Sequence, residues 1–363
     1  MQGNISGQGS VGGAVISTAM ALGRVPRYAS VSILYNGQDV GMAGRLKSLS
    51  YTDNSSGTSD EIILTFERRD ADWLRHQYSI DLGSDLDVTI WFHHWNKSGE
   101  LQKYHCGNFT LDDITFSAVP RQCIVRGVSV PAADAFQGDP ISKTWEHVTL
   151  KQIAQEKMEK YGMSDLFYWG EEPVIETVEQ SMQPDSTFLS SLCSKQGMFL
   201  KIYKKALVIF DKSVYESWDV TARFTESDFE TWNWNCTLNG TYTGATISYT
   251  GPKPEKRKKG QKRPVIDITV GQGPRLLHIN EKADDEAEAL RIAKAKVNAE
   301  NEKAVTISFS ALSNPDVVAT CNIEIYGMGI CDGKYFVDKV MHTVSGSGGS
   351  SMKVSAYRIF NRL

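Results

Sequence analysis

The residues best placed to do chemistry are His93, His94, His105 and Cys106. Imidazole and thiolate are zinc ligands, and these four sit close together across one predicted hairpin. The geometry argues against a shared site. With Asn96 facing Gly99 in the turn, His94 opposes Leu101, His93 opposes Gln102 and His105 lies further along, opposite Ile90. Adjacent His93 and His94 also point to opposite faces of a strand. They read as surface or interface histidines, and no metal ligand is assigned. The paired acids Asp112-Asp113 and Glu171-Glu172 raise glycoside hydrolysis, which needs two carboxylates flanking one sugar. Neighbours on a strand face opposite ways and cannot share that task. No Gly-x-Ser-x-Gly or other nucleophile signature is present. Gly7-Gln8-Gly9-Ser10-Val11-Gly12 has the spacing of a dinucleotide-binding loop. That loop must follow a strand and open a helix, and only six residues precede Gly7. The expectation is therefore no catalytic residue, no cofactor and no enzyme.

One charge feature stands out, the basic loop from Lys253 to Arg263. It lacks the interleaved aromatics on which bases stack. It reads as a solvated insertion, with contact to an acidic neighbour as the alternative and no specific nucleic acid as partner. Net charge is −4 over 363 residues, which does not suit a coat for nucleic acid or an anionic membrane. The six cysteines are scattered with no Cys-x-x-Cys pair, so they read as free thiols of a chain folded in a reducing cytoplasm. No run is apolar and long enough to span a bilayer, and no membrane insertion is expected. Met1 to Gly13 carries no positive charge ahead of the apolar stretch Ala14 to Leu22, unlike a secretory signal.

The elements that position these residues are mostly strands. Ala29 to Tyr35 alternates and is followed by Asn36-Gly37, a hairpin turn signal. Leu46 to Thr52, Ile62 to Phe66, Leu86 to Trp91, Leu101 to Cys106, Phe109 to Phe116 and Gln122 to Val130 continue an antiparallel series. The texture changes near Pro140. Thr149 and Gln152 have capping-box spacing, and Leu150, Ile153, Ala154, Met158 and Tyr161 then share one helical face. A second helix starts with Asp185 as N-cap and ends at Gly197. A hairpin, Phe199 to Tyr203 and Ala206 to Phe210, turns at Lys204-Lys205. After Trp218 the β texture resumes with Thr246 to Thr250. A helix through Ala283, Leu290 and Val297 precedes the strands Val305 to Leu312, Cys321 to Tyr326, Tyr335 to Val344 and Met352 to Phe360.

The two β segments resemble each other in order. Leu49 to Thr52 matches Ile247 to Thr250, and Ile63 to Phe66 matches Thr306 to Phe309. Leu86 to Ile90 matches Cys321 to Ile325, and Gly107 to Ile114 matches Gly333 to Val340. The last pair shares Gly-x-aromatic-x-aliphatic-Asp-x-aliphatic. The fold class expected is mainly β with α+β parts: two similar antiparallel β-barrel domains flanking a small α+β domain. The boundaries are an N-terminal arm at 1–26, a first barrel at 27–137, a middle domain at 138–213 and a second barrel at 214–363. The second barrel carries a basic loop and helix, 251–303, where the first has the short turn Asp53 to Asp60.

The chain resembles the phage late control protein D family, the baseplate hub of contractile tails. Relatives of that family include the N-terminal part of type VI secretion spike proteins and the hubs of tailocins and extracellular contractile injection systems. The resemblance rests on Val31 to Gly37, Leu49 to Asn54 with Leu64 to Glu67, Gly107 to Phe116, Ser186 to Leu189 through Gly197 to Leu207–Asp211, and Asp332 to Val337. It covers the chain from about Arg27 onward and leaves out the N-terminal arm. It implies a structural protein forming a homotrimer in which two barrels per subunit make a pseudo-sixfold ring. Such a ring is a symmetry adaptor between the hexameric tail tube protein and the trimeric spike protein. Other baseplate proteins and the tape measure protein are further implied partners. The particle would be assembled in the bacterial cytoplasm. The alternative is a monomeric β-rich module binding carbohydrate or a receptor, with Trp91, Trp95, Trp232 and Trp234 clustered on one sheet face. A cell-wall hydrolase is a weaker alternative.

Overall fold

The computed structural model describes residues 25–67, 81–129, 136, 138, 140–250, 264–283 and 285–363. The first part contains β1 (Tyr28–Tyr35), β2 (Leu46–Asn54), β3 (Glu61–Glu67), β4 (Asp85–His93), β5 (Leu101–Ser117) and β6 (Gln122–Val128). Next come β7 (Ile141–Thr149), α1 (Leu150–Lys160), β8 (Leu166–Trp169), β9 (Val174–Gln183) and α2 (Asp185–Lys195). They are followed by β10 (Phe199–Tyr203), β11 (Ala206–Phe210) and α3 (Lys212–Glu216). The last part holds β12 (Val220–Phe224), β13 (Phe229–Cys236), β14 (Gly244–Thr250), β15 (Val265–Gly271) and β16 (Leu276–Ala283). It ends with α4 (Glu286–Asn301), β17 (Val305–Leu312), β18 (Asn322–Ile325), β19 (Gly333–Ser345) and β20 (Ser350–Arg358).

The fold is mainly β with small α parts, as the alternation predicts. Twelve strands form one sheet, running β1-β4-β5-β6-β3-β2-β19-β20-β17-β13, with β18 on β19 and β12 on β18. The path contains one six-strand order twice. In the first half it is β1-β4-β5-β6-β3-β2, and in the second β12-β18-β19-β20-β17-β13. Each half curls around its own core. Ile33, Tyr51, Leu64, Phe92 and Phe109 meet in the first, and Phe224, Phe309, Ile323, Tyr335 and Val354 in the second. Five strands correspond in position and direction. The sixth differs: β1 runs antiparallel to β4, whereas β12 runs parallel to β18.

Irregularities recur at matching places. The β5–β6 ladder slips between Leu111 and Asp113, and β19–β20 slips between Val337 and Lys339. The β2–β3 ladder slips between Leu46 and Ser48, and β13–β17 between Phe229 and Thr231. A bulge puts one unpaired residue into a strand. Shared bulges therefore fix the equivalences: Asp112 with Asp338, Lys47 with Glu230.

Three of the four sequence matches join corresponding strands. Gly107 to Ile114 with Gly333 to Val340 is also in register. The other two are displaced by two residues, since the ladders put Leu64 with Phe309 and Leu86 with Ile323. The first match is wrong. The counterpart of β2 is β13, in which Trp232 and Trp234 take the places of Leu49 and Tyr51. Strand β14 lies in a separate sheet, β15-β14-β16, packed against α4 around Ala245, Ile247, Ile292 and Val297. The residues between β13 and β17 thus form a folded β-sheet-and-helix unit where the first half has a short turn.

Three local readings also change. Asn36 and Gly37 do form a tight reversal at φ 47° and 78°. It ends in a single bridge, Tyr35 to Gln38, and β1 pairs with β4 instead of its sequence neighbour. The two strands expected over 101–116 are one strand, β5, with a ladder irregularity at Cys106 next to Gly107, whose φ is 123°. Pro184, not Asp185, holds the N-cap position of α2 and gives no side-chain cap, and Asp185 is the first helical residue, with a buried side chain. The capping box at Thr149 and Gln152 is present as expected.

The middle part has its own core, in which Trp145, Leu150, Ile153, Phe188, Leu189 and Ile209 pack together. Beneath it lies a buried ion pair that sequence pattern does not announce. Lys157 and Asp185 are each 1% exposed and 2.7 Å apart. Lys160, Tyr161 and Gln180 also donate to the Asp185 carboxylate. Burial alone would raise the Asp185 pKa, but these donors outweigh it and hold the carboxyl well below its usual range.

Candidate assembly interface

The two halves meet edge to edge. Strand β19 pairs antiparallel with β2 from Lys339↔Asn54 to Ser345↔Ser48. The seam completes the first core, because Val344 from β19 is buried within it. His342, also buried, packs against Tyr104 of the first half with ring centroids 4.7 Å apart and planes tilted by 54°. Trp95 reaches across and donates from Nε1 to the Ser313 carbonyl at 2.6 Å.

The middle part clamps this seam through charge. Lys201 on β10 is ion-paired with Asp53 and Asp60, at the two ends of the β2–β3 turn. Asp53 also accepts the Ala319 amide of the second half at 2.9 Å. Ser55 donates to Asp338 at 2.5 Å. Burial pushes the Asp60 pKa up to about 7, with Lys201 pulling it down and Asp53 pushing it up. Burial pulls Lys201 down, yet the two carboxylates outweigh it and leave its pKa raised. At His342 burial outweighs the opposing pull of the Val317 carbonyl and Asp53, lowers its pKa to about 4 and keeps the imidazole neutral.

A second charged cluster holds the C-terminus. Arg362 bonds Glu216 and Glu302, and Tyr357 donates to Glu216. Lys212 pairs with Glu302 at 2.9 Å and lies over the Phe199 ring at 4.2 Å. A buried charge without its partner is costly, so these clusters specify how the parts fit together.

The residues singled out for chemistry do not converge. The hairpin register is shifted from the simple one: His93 opposes Leu101, and His105 opposes Thr89. His94 is the cause, since its φ of 56° takes it out of the strand. His93 stacks on Tyr28 and bonds Ser30, His94 accepts the Gly99 amide, and His105 pairs with Asp87 at 2.8 Å. Cys106 is buried, and burial raises its thiol pKa well above normal. No His, Cys, Asp and Glu grouping among the described residues could hold a metal. Asp112 is the bulge residue of β5, and Glu172 pairs with Lys151. All six cysteines are free thiols. No helix among the described residues is long and apolar enough to cross a membrane. The Gly7–Gly12 stretch, nearly all of the arm and the basic loop 253–263 lie outside the described residues.

The four tryptophans are not one surface. Trp95 is buried, Trp91 lies on β4, and Trp232 and Trp234 lie on β13 at the other end of the sheet path. A groove of about 1230 Å³ opens between the middle part and α4. It is bridged by Lys195–Glu288 and by Arg291 to Gln196, and no triad of nucleophile, base and orienting group is arranged in it. What sequence reading missed was the edge role of β13. The signal was there, as Trp232-Asn233-Trp234-Asn235 alternates with both tryptophans on one face.

No family model and no curated protein matches the chain. Solved structures do. The 43 kDa tail protein of prophage MuSo2 from Shewanella oneidensis superposes with a TM-score of 0.66 at 15% identity, covering 91% of this chain and 98% of that one. The tail protein from Neisseria meningitidis MC58 gives 0.64 at 12% identity, covering 91% and 97%. An Escherichia coli component of the type VI secretion system, itself similar to T4 bacteriophage tail proteins gp27 and gp5, gives 0.53 at 12% identity, covering 88% and 74%. The chain has the fold of these phage tail and type VI secretion proteins.

Proposed function

We propose that the chain is the baseplate hub of a contractile phage tail or phage-tail-like injection system, of the late control protein D type. Its role is structural and its chemistry is interface packing. Three copies form a ring with six barrel positions, joining a hexameric tail tube protein on one side to a trimeric spike protein on the other. The domain division is an arm at 1–26, barrels at 27–137 and 214–363, and an α+β domain at 138–213. The particle assembles in the bacterial cytoplasm, with other baseplate proteins and the tape measure protein as further neighbours.

One observation carries this reading: a single chain holds the same six-strand path twice, with matching bulges, joined by a strand-to-strand seam. A duplicated unit in a closed ring doubles the number of equivalent positions relative to subunits. That is what a threefold-to-sixfold adaptor requires. The test is native mass measurement of the purified chain, alone and with tube and spike proteins. The expected species is a trimer, in isolation or once the spike is added. A persistent monomer that ignores both partners overturns the reading.

A further inference from the structure

The internal seam leaves two strand edges that no strand among the described residues covers. On β19, one edge carries β18 over 333–336 and then β2 over 339–345. On β5, the equivalent edge carries β4 over 101–110, and no strand among the described residues pairs beyond that. The shared bulge equates 113–119 with 339–345, so Phe116 stands where His342 does and Ala118 where Val344 does. Phe116 is 40% exposed and Val119 94%.

The other free edge is β13. Its counterpart β2 has β3 on one side and β19 on the other, whereas among the described residues β13 pairs with β17 alone. The consequence shows in the side chains. Leu49 and Tyr51 on β2 are fully buried, partly under Val344. Trp232 in the place of Leu49 is 42% exposed. The second core therefore lacks the cover that the first receives from β19, and an exposed aromatic edge invites pairing with another chain.

We propose that β13 of one copy pairs antiparallel with the 113–117 edge of β5 in the next copy, continuing to Ala118 in the turn that follows, and so repeats between chains the seam seen within one. This rests on the hub reading and adds the edge and register of its subunit contact. The register follows from the internal seam. Ile114 opposes Cys236, Phe116 opposes Trp234 and Ala118 opposes Trp232. The occupant is a second copy because only the equivalent edge of this fold carries the matching bulge and register.

The native chain supplies half of the test, since Cys236 is the one exposed cysteine of the six. Directly opposed residues on paired strands bring their Cβ atoms to about 5 Å. In the full-length chain, Ile114→Cys should give at least tenfold more intermolecular crosslink with a short bifunctional thiol reagent than the unchanged chain. Adding Cys236→Ser should abolish it. Thr115→Cys, facing the other way, should stay within twofold of background. If Ile114→Cys fails to fold, the pair Ser117→Cys and Asn233→Cys tests the same register on the opposite face. Background crosslinking by both designs, in a chain whose native mass is a trimer, would overturn this contact and leave the hub reading standing. A chain that stays monomeric with tube and spike proteins present overturns both.

Discussion

Strands β2 and β13 hold the same place in two copies of one fold, yet they live in different surroundings. Leu49 on β2 is fully buried, while Trp232 at the same position on β13 is 42% exposed. Asp53 lies in a charged cluster with Lys201, and Cys236 at its equivalent is exposed. The first core is completed by β19 of the second half, whereas among the described residues no strand gives β13 the same cover.

The comparison can be broken hardest at the ionic clamp, which only the internal seam possesses. Lys201→Ala leaves Asp53 and Asp60 buried without their cation and should cost about 3–5 kcal/mol. Denaturant unfolding at two pH values checks it. The deficit should be smaller at pH 5 than at pH 8, because Asp60, whose pKa burial already pushes up to about 7, can take up a proton. An equal deficit at both values would argue that Asp60 stays ionised.

Leu49→Ala comes next, at about 2–5 kcal/mol for a truncated core side chain. Calorimetry on the same chain should show Trp232→Ala costing much less. The seam's pH limb is smaller and falls on His342. Its pKa is 6.5 when exposed and about 4 when buried in the fold, so it binds a proton more weakly folded than unfolded. Its contribution is fully present above pH 6.5 and is lost as pH falls toward 4, by roughly 3 kcal/mol at most. His342→Phe should remove that limb, and an unchanged acid transition would show that another group controls it. The smallest effect on folding belongs to the open edge. Trp232→Ala and Phe116→Ala should each change monomer stability by less than about 1 kcal/mol, while lowering self-association measured by native mass. If either destabilises the monomer as much as Leu49→Ala, the contrast between seam and open edge fails.

Local structure was largely readable from sequence. Period-2 alternation marked β4 and β17, the Thr149–Gln152 spacing marked the start of α1, and Lys204-Lys205 marked a turn whose two residues both take positive φ. Three of the four repeat matches were readable as well; the fourth fell on β14 instead of β13, and two of the three were displaced by two residues. The reason is that a shift of two preserves the buried face of a strand, so alternation fixes the face and leaves the register open. Spacing did not show the one-residue shift of the β4–β5 hairpin, because His94 leaves the strand at a positive φ.

The sequence by itself thus determined where strands and helices form, which face of each is apolar, and that one pattern occurs twice in order. Tertiary structure alone decided which strands pair. It made β13 and not β14 the counterpart of β2, buried Lys157 against Asp185 and Lys201 between two carboxylates, and left β13 and the end of β5 as open edges among the described residues. Those outcomes depend on contacts between residues far apart in the chain, and alternation carries no information about which distant strand will supply the hydrogen bonds.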